Sequence, residues 1–183
     1  MFKGLTERAR RILTILSHEE AKRFNSDQLL PEHIMLALLR DAEGMAIKIL
    51  QRIKVDAREM QAEIESSLPK KKGNLTIGTI GPSKRGKKLL EISAEEAKTM
   101  GHEYIGTEHL LLAAAKESGS VTSRFLAKYN IDAAIIREVI LRMSGTGDMR
   151  EKAGMFKKKP TGVGKRMTPT LDEFSRDLTE MAR

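Results

Sequence analysis

The chain has 183 residues and a mass of 20.5 kDa, enough for one good-sized core or for two small lobes sharing an interface. The absence of cysteine excludes disulfides, thiolate chemistry and cysteine-ligated zinc, and 4% aromatics without tryptophan argue against a β-sandwich and a base-stacking platform. The net charge of +8 suggests nucleic acid, but its location argues otherwise: residues 70–88 carry seven bases and no acid, residues 149–166 seven bases and one acid, leaving about −5 elsewhere.

The first predicted helix runs from Thr6 to Arg23. Thr6 is a suitable N-cap, and Ile12, Leu13, Leu16 and Ala21 give an apolar stripe at helical spacing. After a short polar connector, Pro31 opens a second helix, PEHIMLALLR, whose Ile34, Leu36, Ala37, Leu38 and Leu39 are apolar nearly all round, as in a buried central helix. A third helix is predicted from Gly44 to Ile53. A fourth opens at Asp56, with Glu59 placed for a capping box. Only LTIGTI, Leu75 to Ile80, has β character.

The chain then repeats itself. At an offset of 76, Glu19-Glu20-Ala21-Lys22 falls on Glu95-Glu96-Ala97-Lys98, Glu32-His33 on Glu108-His109, Leu36-Ala37 on Leu112-Ala113 and Val55-Asp56-Ala57 on Ile131-Asp132-Ala133. Upstream the first copy holds one extra residue, since Arg8-Ala9-Arg10-Arg11 matches Arg85-Gly86-Lys87-Lys88. The second copy therefore predicts helices from Ser83 to Thr99, from Thr107 (a possible cap there), from Ser120 to Tyr129 and from Asp132. The expected fold is all-α: two tandem four-helix repeats packed as a pseudo-twofold eight-helix domain. The expected division is repeat 1 over 1–69, a linker over 70–82, repeat 2 over 83–145, a flexible basic linker over 146–167, and the start of another module over 168–183.

Two features invite catalytic or metal readings and support neither. Residues 160–166, PTGVGKR, look like a phosphate-binding loop but have Lys159 at the first glycine position and Arg166 at the hydroxyl position. His33 and His109, 76 residues apart without other ligand types in the motif, are expected to pack against the preceding helix and hydrogen-bond a carbonyl rather than hold a metal. No catalytic residue, metal site or cofactor is assigned. The N-terminus has no continuous apolar run and no segment approaches the roughly 18 apolar residues of a membrane span, which predicts a soluble, cytoplasmic protein.

The string Thr6-Glu7-Arg8-Ala9, the EEAK segment, the doubled (Thr or Pro)-Glu-His-(Ile or Leu) motif and the duplication resemble the double Clp N-domain over residues 2–145. That module heads Clp-type AAA+ unfoldases, with the ClpC branch most similar. Thr168-Pro169-Thr170-Leu171-Asp172-Glu173-Phe174 is similar to the segment opening the first ATPase module of such proteins. The resemblance implies a non-enzymatic recognition fragment, monomeric by itself. Its parent would be a hexameric ring using ATP and magnesium, delivering proteins to a Clp peptidase. Implied partners are protein substrates and adaptors, with neither nucleic acid nor membrane.

Some members recognise phosphoarginine, which needs an acid for the guanidinium and donors for the phosphate. Carried over residue by residue, Glu32 with Thr6 would form one site and Glu108 with Ser83 the other. Pro31 and Leu30, standing where the second copy has Thr107 and Gly106, make the second site the better candidate. The alternatives are a basic helical regulator binding nucleic acid through 70–72 and 157–159, and an interaction scaffold with no small ligand.

Overall fold

A computed structural model describes residues 4–69 and 80–145. The expected linker and module boundaries at 70–79 and beyond 145, the look-alike loop at 160–166 and most of LTIGTI lie outside the described residues.

The first rod begins as α1 (Glu7–Arg11), passes through a π-helical turn (Ile12–Leu16) and ends as α2 (Ser17–Arg23). Its counterpart, α6 (Lys84–Thr99), is uninterrupted. The extra residue of the first copy is therefore absorbed as a π turn. The Ser17 N–H and hydroxyl both reach back five residues to the Ile12 carbonyl, whereas the Ser93 hydroxyl reaches back four to Leu89. The turn lets the N-terminal part of the rod advance one residue without moving the buried stripe.

The remaining rods are α3 (Pro31–Arg40), α4 (Met45–Arg52) and α5 (Ala57–Ser67), then α7 (Thr107–Lys116), α8 (Val121–Lys128) and α9 (Ala133–Met143). Asp56 and Asp132 cap α5 and α9 through their carboxylates. Glu59 does not complete the anticipated capping box; its carboxylate accepts from the Tyr129 hydroxyl of the other repeat at 2.5 Å. No helix among the described residues is long and apolar enough to cross a membrane.

The central helices α3 and α7 touch each other, and α7 also packs on α4, α8 and α9. Ile34–Leu38 and Leu110–Ala114 are buried, and the core formed by both repeats is continuous. Each fully buried Leu or Ile contributes about 1.5–3 kcal/mol, and a lone repeat would leave much of this surface wet. Two short backbone pairings stitch the copies: β1 (Gln28–Leu29) lies parallel to β2 (Gly81–Pro82), and Leu5 bridges Ile105. The second copy also lends the first a cap. Thr107 does not cap its own helix; its hydroxyl accepts the Ala46 N–H at the start of α4, where Gly44 has no side chain to offer. In the other direction Pro31 has no hydroxyl, and Ser120 caps α8 itself.

The EEAK segment owes its place to folding. Glu20 and Glu96 are buried and paired, Glu20 with Arg40 and Arg23, Glu96 with Arg137 and Lys116. Burial alone would push the Glu96 carboxyl up, but the hydrogen bonds from Arg137 and Lys116 hold it below its ordinary value.

Candidate functional site

The four anticipated residues are grouped differently from the sequence expectation. Thr6 N–H donates to the Ile105 carbonyl at 3.0 Å, which sets the first turn of α1 beside Gly106 and Glu108 of the second repeat. Ser83 N–H donates to the Leu29 carbonyl at 3.0 Å, which sets the first turn of α6 beside Pro31 and Glu32 of the first. These backbone bonds set Thr6 at the entry to the second repeat's Glu-His helix and Ser83 at the entry to the first, across repeats where the expectation paired residues within one. The cause is the parallel backbone pairing, which lays each repeat's leading segment against the entry to the other repeat's Glu-His helix. Thr6 and Ser83 are N-caps as predicted, accepting from Ala9 and Gly86 N–H groups. Ser83 is itself buried, and Gly86 is needed there because a Cβ would lie 2.6 Å from the Leu29 carbonyl oxygen.

The two glutamates are in different states. Glu32 is only 6% exposed, and its Oε1 accepts from the Arg85 guanidinium at 2.8 Å. The same guanidinium donates to Glu117 at 2.6 Å, so Arg85 joins a first-repeat acid to a second-repeat acid. Oε2 of Glu32 and Oε2 of Glu117 are both buried without a hydrogen-bond partner. The hydrogen bond that Arg85 donates to Glu117 raises the Arg85 pKa further, against the lowering effect of burial, with Glu32 reinforcing it. The expectation of a free acid at Glu32 is corrected here: the carboxylate is turned inward and held by the chain's own guanidinium.

Glu108 is partly exposed and, among the described residues, forms no ion pair with Lys or Arg; His109 Nδ1 lies 3.5 Å from its Oε1. Its carboxylate folds back over Gly106, where a Cβ would lie 2.6 Å from the Glu108 Cδ. Glycine at 106 is thus what makes room for this acid. Leu30, at the matching place in the first repeat, packs its side chain against the core. Arg8, the counterpart of Arg85, lies on the turn next to this site but binds Asp41 at 2.8 Å and Glu43 at 3.2 Å instead.

The histidines are structural, in a manner different from the expected bond to a carbonyl. Each is the third residue of its helix, and its Nδ1 accepts the backbone N–H preceding the helix, Leu30 for His33 at 3.1 Å and Gly106 for His109 at 2.9 Å. Nε2 therefore carries the proton in the neutral ring. In the second repeat it meets His102 Nδ1 at 2.8 Å; in the first, Ser26 stands in that place and His33 Nε2 is buried with no partner. Burial lowers the pKa of His33 to about 4 against the opposing pull of Glu32 and Glu20, and burial together with His102 lowers that of His109 to about 4.

His102, Glu108 and His109 come within 4.8 Å of one another, but they do not converge on one point. His109 turns Nε2 to His102, while Glu108 lies toward Nδ1, whose lone pair Gly106 N–H already occupies. They make a poor metal site.

Sequence reasoning missed Arg85, Glu117, Asp41 and Glu43. The repeat alignment does place Arg8 on Arg85, a signal that both serve one role, but nothing local reveals that their acceptors differ.

A family model for the Clp repeat (R) N-terminal domain matches residues 4–129. The chain is 36% identical over 183 residues to the negative regulator of genetic competence ClpC/MecB of Bacillus subtilis (strain 168), covering all of this chain and 22% of that protein. It is 33% identical over 183 residues to the ATP-dependent Clp protease ATP-binding subunit ClpC of Staphylococcus aureus (strain USA300), covering all of this chain and 21% of that protein. The chain thus spans about a fifth of the length of these relatives. Among solved structures, the Hsp104 N-terminal domain from Candida albicans superposes at a TM-score of 0.65 and 18% identity, over 79% of this chain and 93% of that one, a likeness of fold alone. The matched segment takes in both Glu-His helices and the cross-paired turns that flank them, and the chain belongs to the Clp repeat N-terminal domain family.

Proposed function

We propose that this domain recognises protein substrates and adaptors for an ATP-dependent Clp-type unfoldase, and that phosphorylated arginine is a mark it reads. The parent protein is then a cytoplasmic ring that uses ATP and magnesium and passes captured chains to a peptidase. Family membership and the ATP-binding-subunit name of the Staphylococcus aureus relative support the general role.

The finer reading rests on one observation: Glu108 is a partly exposed carboxylate without a cationic partner among the described residues, beside the Thr6-capped start of the first rod. A guanidinium can meet that carboxylate through two parallel N–H···O bonds. The phosphate on the same side chain would face the Thr6 hydroxyl and the unpaired N–H groups of the adjacent helix start. Separating the two charges over one ligand discriminates against free arginine and against inorganic phosphate, each of which satisfies only half of the site.

The test is calorimetric titration of the chain with phosphoarginine, arginine and inorganic phosphate, beside Glu108→Ala. Micromolar binding of phosphoarginine alone, lost in the variant, is the expected result; equal binding by the variant rejects the site. Retained capture of a protein substrate by a variant that no longer binds phosphoarginine would keep the general role and reject the mark.

A further inference from the structure

We propose that Arg85 is a built-in occupant of the Glu32 pocket, so that only the Glu108 position of this duplicated domain accepts a guanidinium-bearing ligand. The inference rests on the preceding reading of Glu108 for its ligand, and on separate geometry for the occupant.

The Arg85 side chain does at Glu32 what a ligand guanidinium would do: it offers planar N–H donors to a carboxylate at 2.8 Å, beside a helix start capped by a hydroxyl residue. Its Nε–H donates to Glu117 at 2.6 Å. The remaining oxygens of both acids are buried and unpartnered, so a second guanidinium has no exposed acceptor to approach. Unpaired carboxylate oxygens are costly to bury, and the chain holds two of them around this one cation. That is a closed site rather than a vacant one.

Two pairs of equivalent positions explain why the other copy stays open. Position 43 is Glu and its counterpart 119 is Gly. Arg8 therefore finds two acceptors within its own repeat, Asp41 and Glu43. Arg85 has only Glu117 within its own repeat and takes its second acceptor, Glu32, from across the interface. Position 106 is Gly and its counterpart 30 is Leu. Glu108 has space to fold over the backbone at 106, whereas Leu30 at the matching position carries a side chain packed against the core, and Glu32 meets Arg85. Glu43 is thus a positioning residue for a site it does not touch: it holds Arg8 away from Glu108.

Titration with phosphoarginine separates the alternatives. The wild-type chain should bind one equivalent, Glu32→Ala should keep that event within twofold, and Arg85→Met should add a second event. Glu43→Gln, at a side chain 84% exposed and so unable to upset folding, should weaken the single event threefold or more as Arg8 swings toward Glu108. Two equivalents in the wild type, one of them lost in Glu32→Ala, would overturn the occupant. A readout without ligand covers an unstable Arg85→Met and a failure of the phosphoarginine reading alike. By NMR, the Arg85 Nη2 protons, which donate to Glu32, should exchange slowly with water and shift in Glu32→Gln. Fast exchange, typical of a free surface arginine, overturns the inference whatever the titration gives, whereas slow exchange without any phosphoarginine binding upholds it and removes only the ligand assignment.

Discussion

The two repeats share a scaffold and differ in what they leave available. Both place a glutamate and a histidine in the first turn of a buried central helix, and both bring the other repeat's leading turn beside that glutamate. In the first repeat the acid is sealed by Arg85; in the second it stays partly open above Gly106. The lesson is that duplication conserves the helices while a few positions decide access. Electrostatics set the choice, because a guanidinium goes to whichever pair of carboxylates it can reach at once.

Breaking the comparison at the glutamates should give the largest effect. Glu108→Ala should reduce phosphoarginine affinity tenfold or more, about 1.4 kcal/mol, whereas Glu32→Ala should leave it within twofold; equal losses would erase the distinction between the copies.

Acidification tests what the copies have in common. Both buried histidines are neutral in the fold, with pKa values about 4 against an ordinary value near 6.5. The unfolded chain therefore takes up these protons first. Their contribution to stability is complete above about pH 6.5, declines as pH falls toward 4, and declines no further below that. At 1.36 kcal/mol per unit each ring accounts for up to about 3 kcal/mol. Urea unfolding at pH 7, 5.5 and 4 should show this decline, and His33→Gln, which keeps an acceptor for the Leu30 N–H, should remove roughly half of it.

The cap that Thr107 lends to α4 gives a smaller difference. Thr107→Val removes the hydroxyl that accepts the Ala46 N–H and should cost about 1 kcal/mol in chemical denaturation. Ser120→Ala should cost at least as much, because that hydroxyl accepts the Ser123 N–H of α8 and donates to the Ala114 carbonyl of α7; the starts of α4 and α8 are thus capped differently, α4 by the other repeat and α8 by its own Ser120. The smallest effect should come from giving the first repeat what the second has. Ser26→His places an acceptor opposite the unpartnered His33 Nε2 and should stabilise by up to about 1 kcal/mol; no change in the melting midpoint would mean that the new ring cannot reach.

Much of the scaffold was legible because its causes are local. Hydrophobic spacing marked the stripes, hydroxyl and carboxylate caps marked Thr6, Asp56, Ser83 and Asp132, and the mismatch of one residue upstream of Ser17 appears as the π turn at Ile12–Leu16. The site was legible only in its membership. Thr6, Glu32, Ser83 and Glu108 do flank the two Glu-His helices, yet their grouping, the Arg85 contact and the migration of the Thr107 hydroxyl to α4 all depend on partners at least 53 positions away.

The sequence by itself determined the helices, the caps at Thr6, Asp56, Ser83 and Asp132, the duplication and the family, since periodicity, local capping and repetition are properties of neighbouring residues. Only the tertiary structure decided which turn meets which glutamate and which of the two acids remains open. That choice belongs to the packed interface, where side chains remote in sequence compete for the same few buried hydrogen bonds.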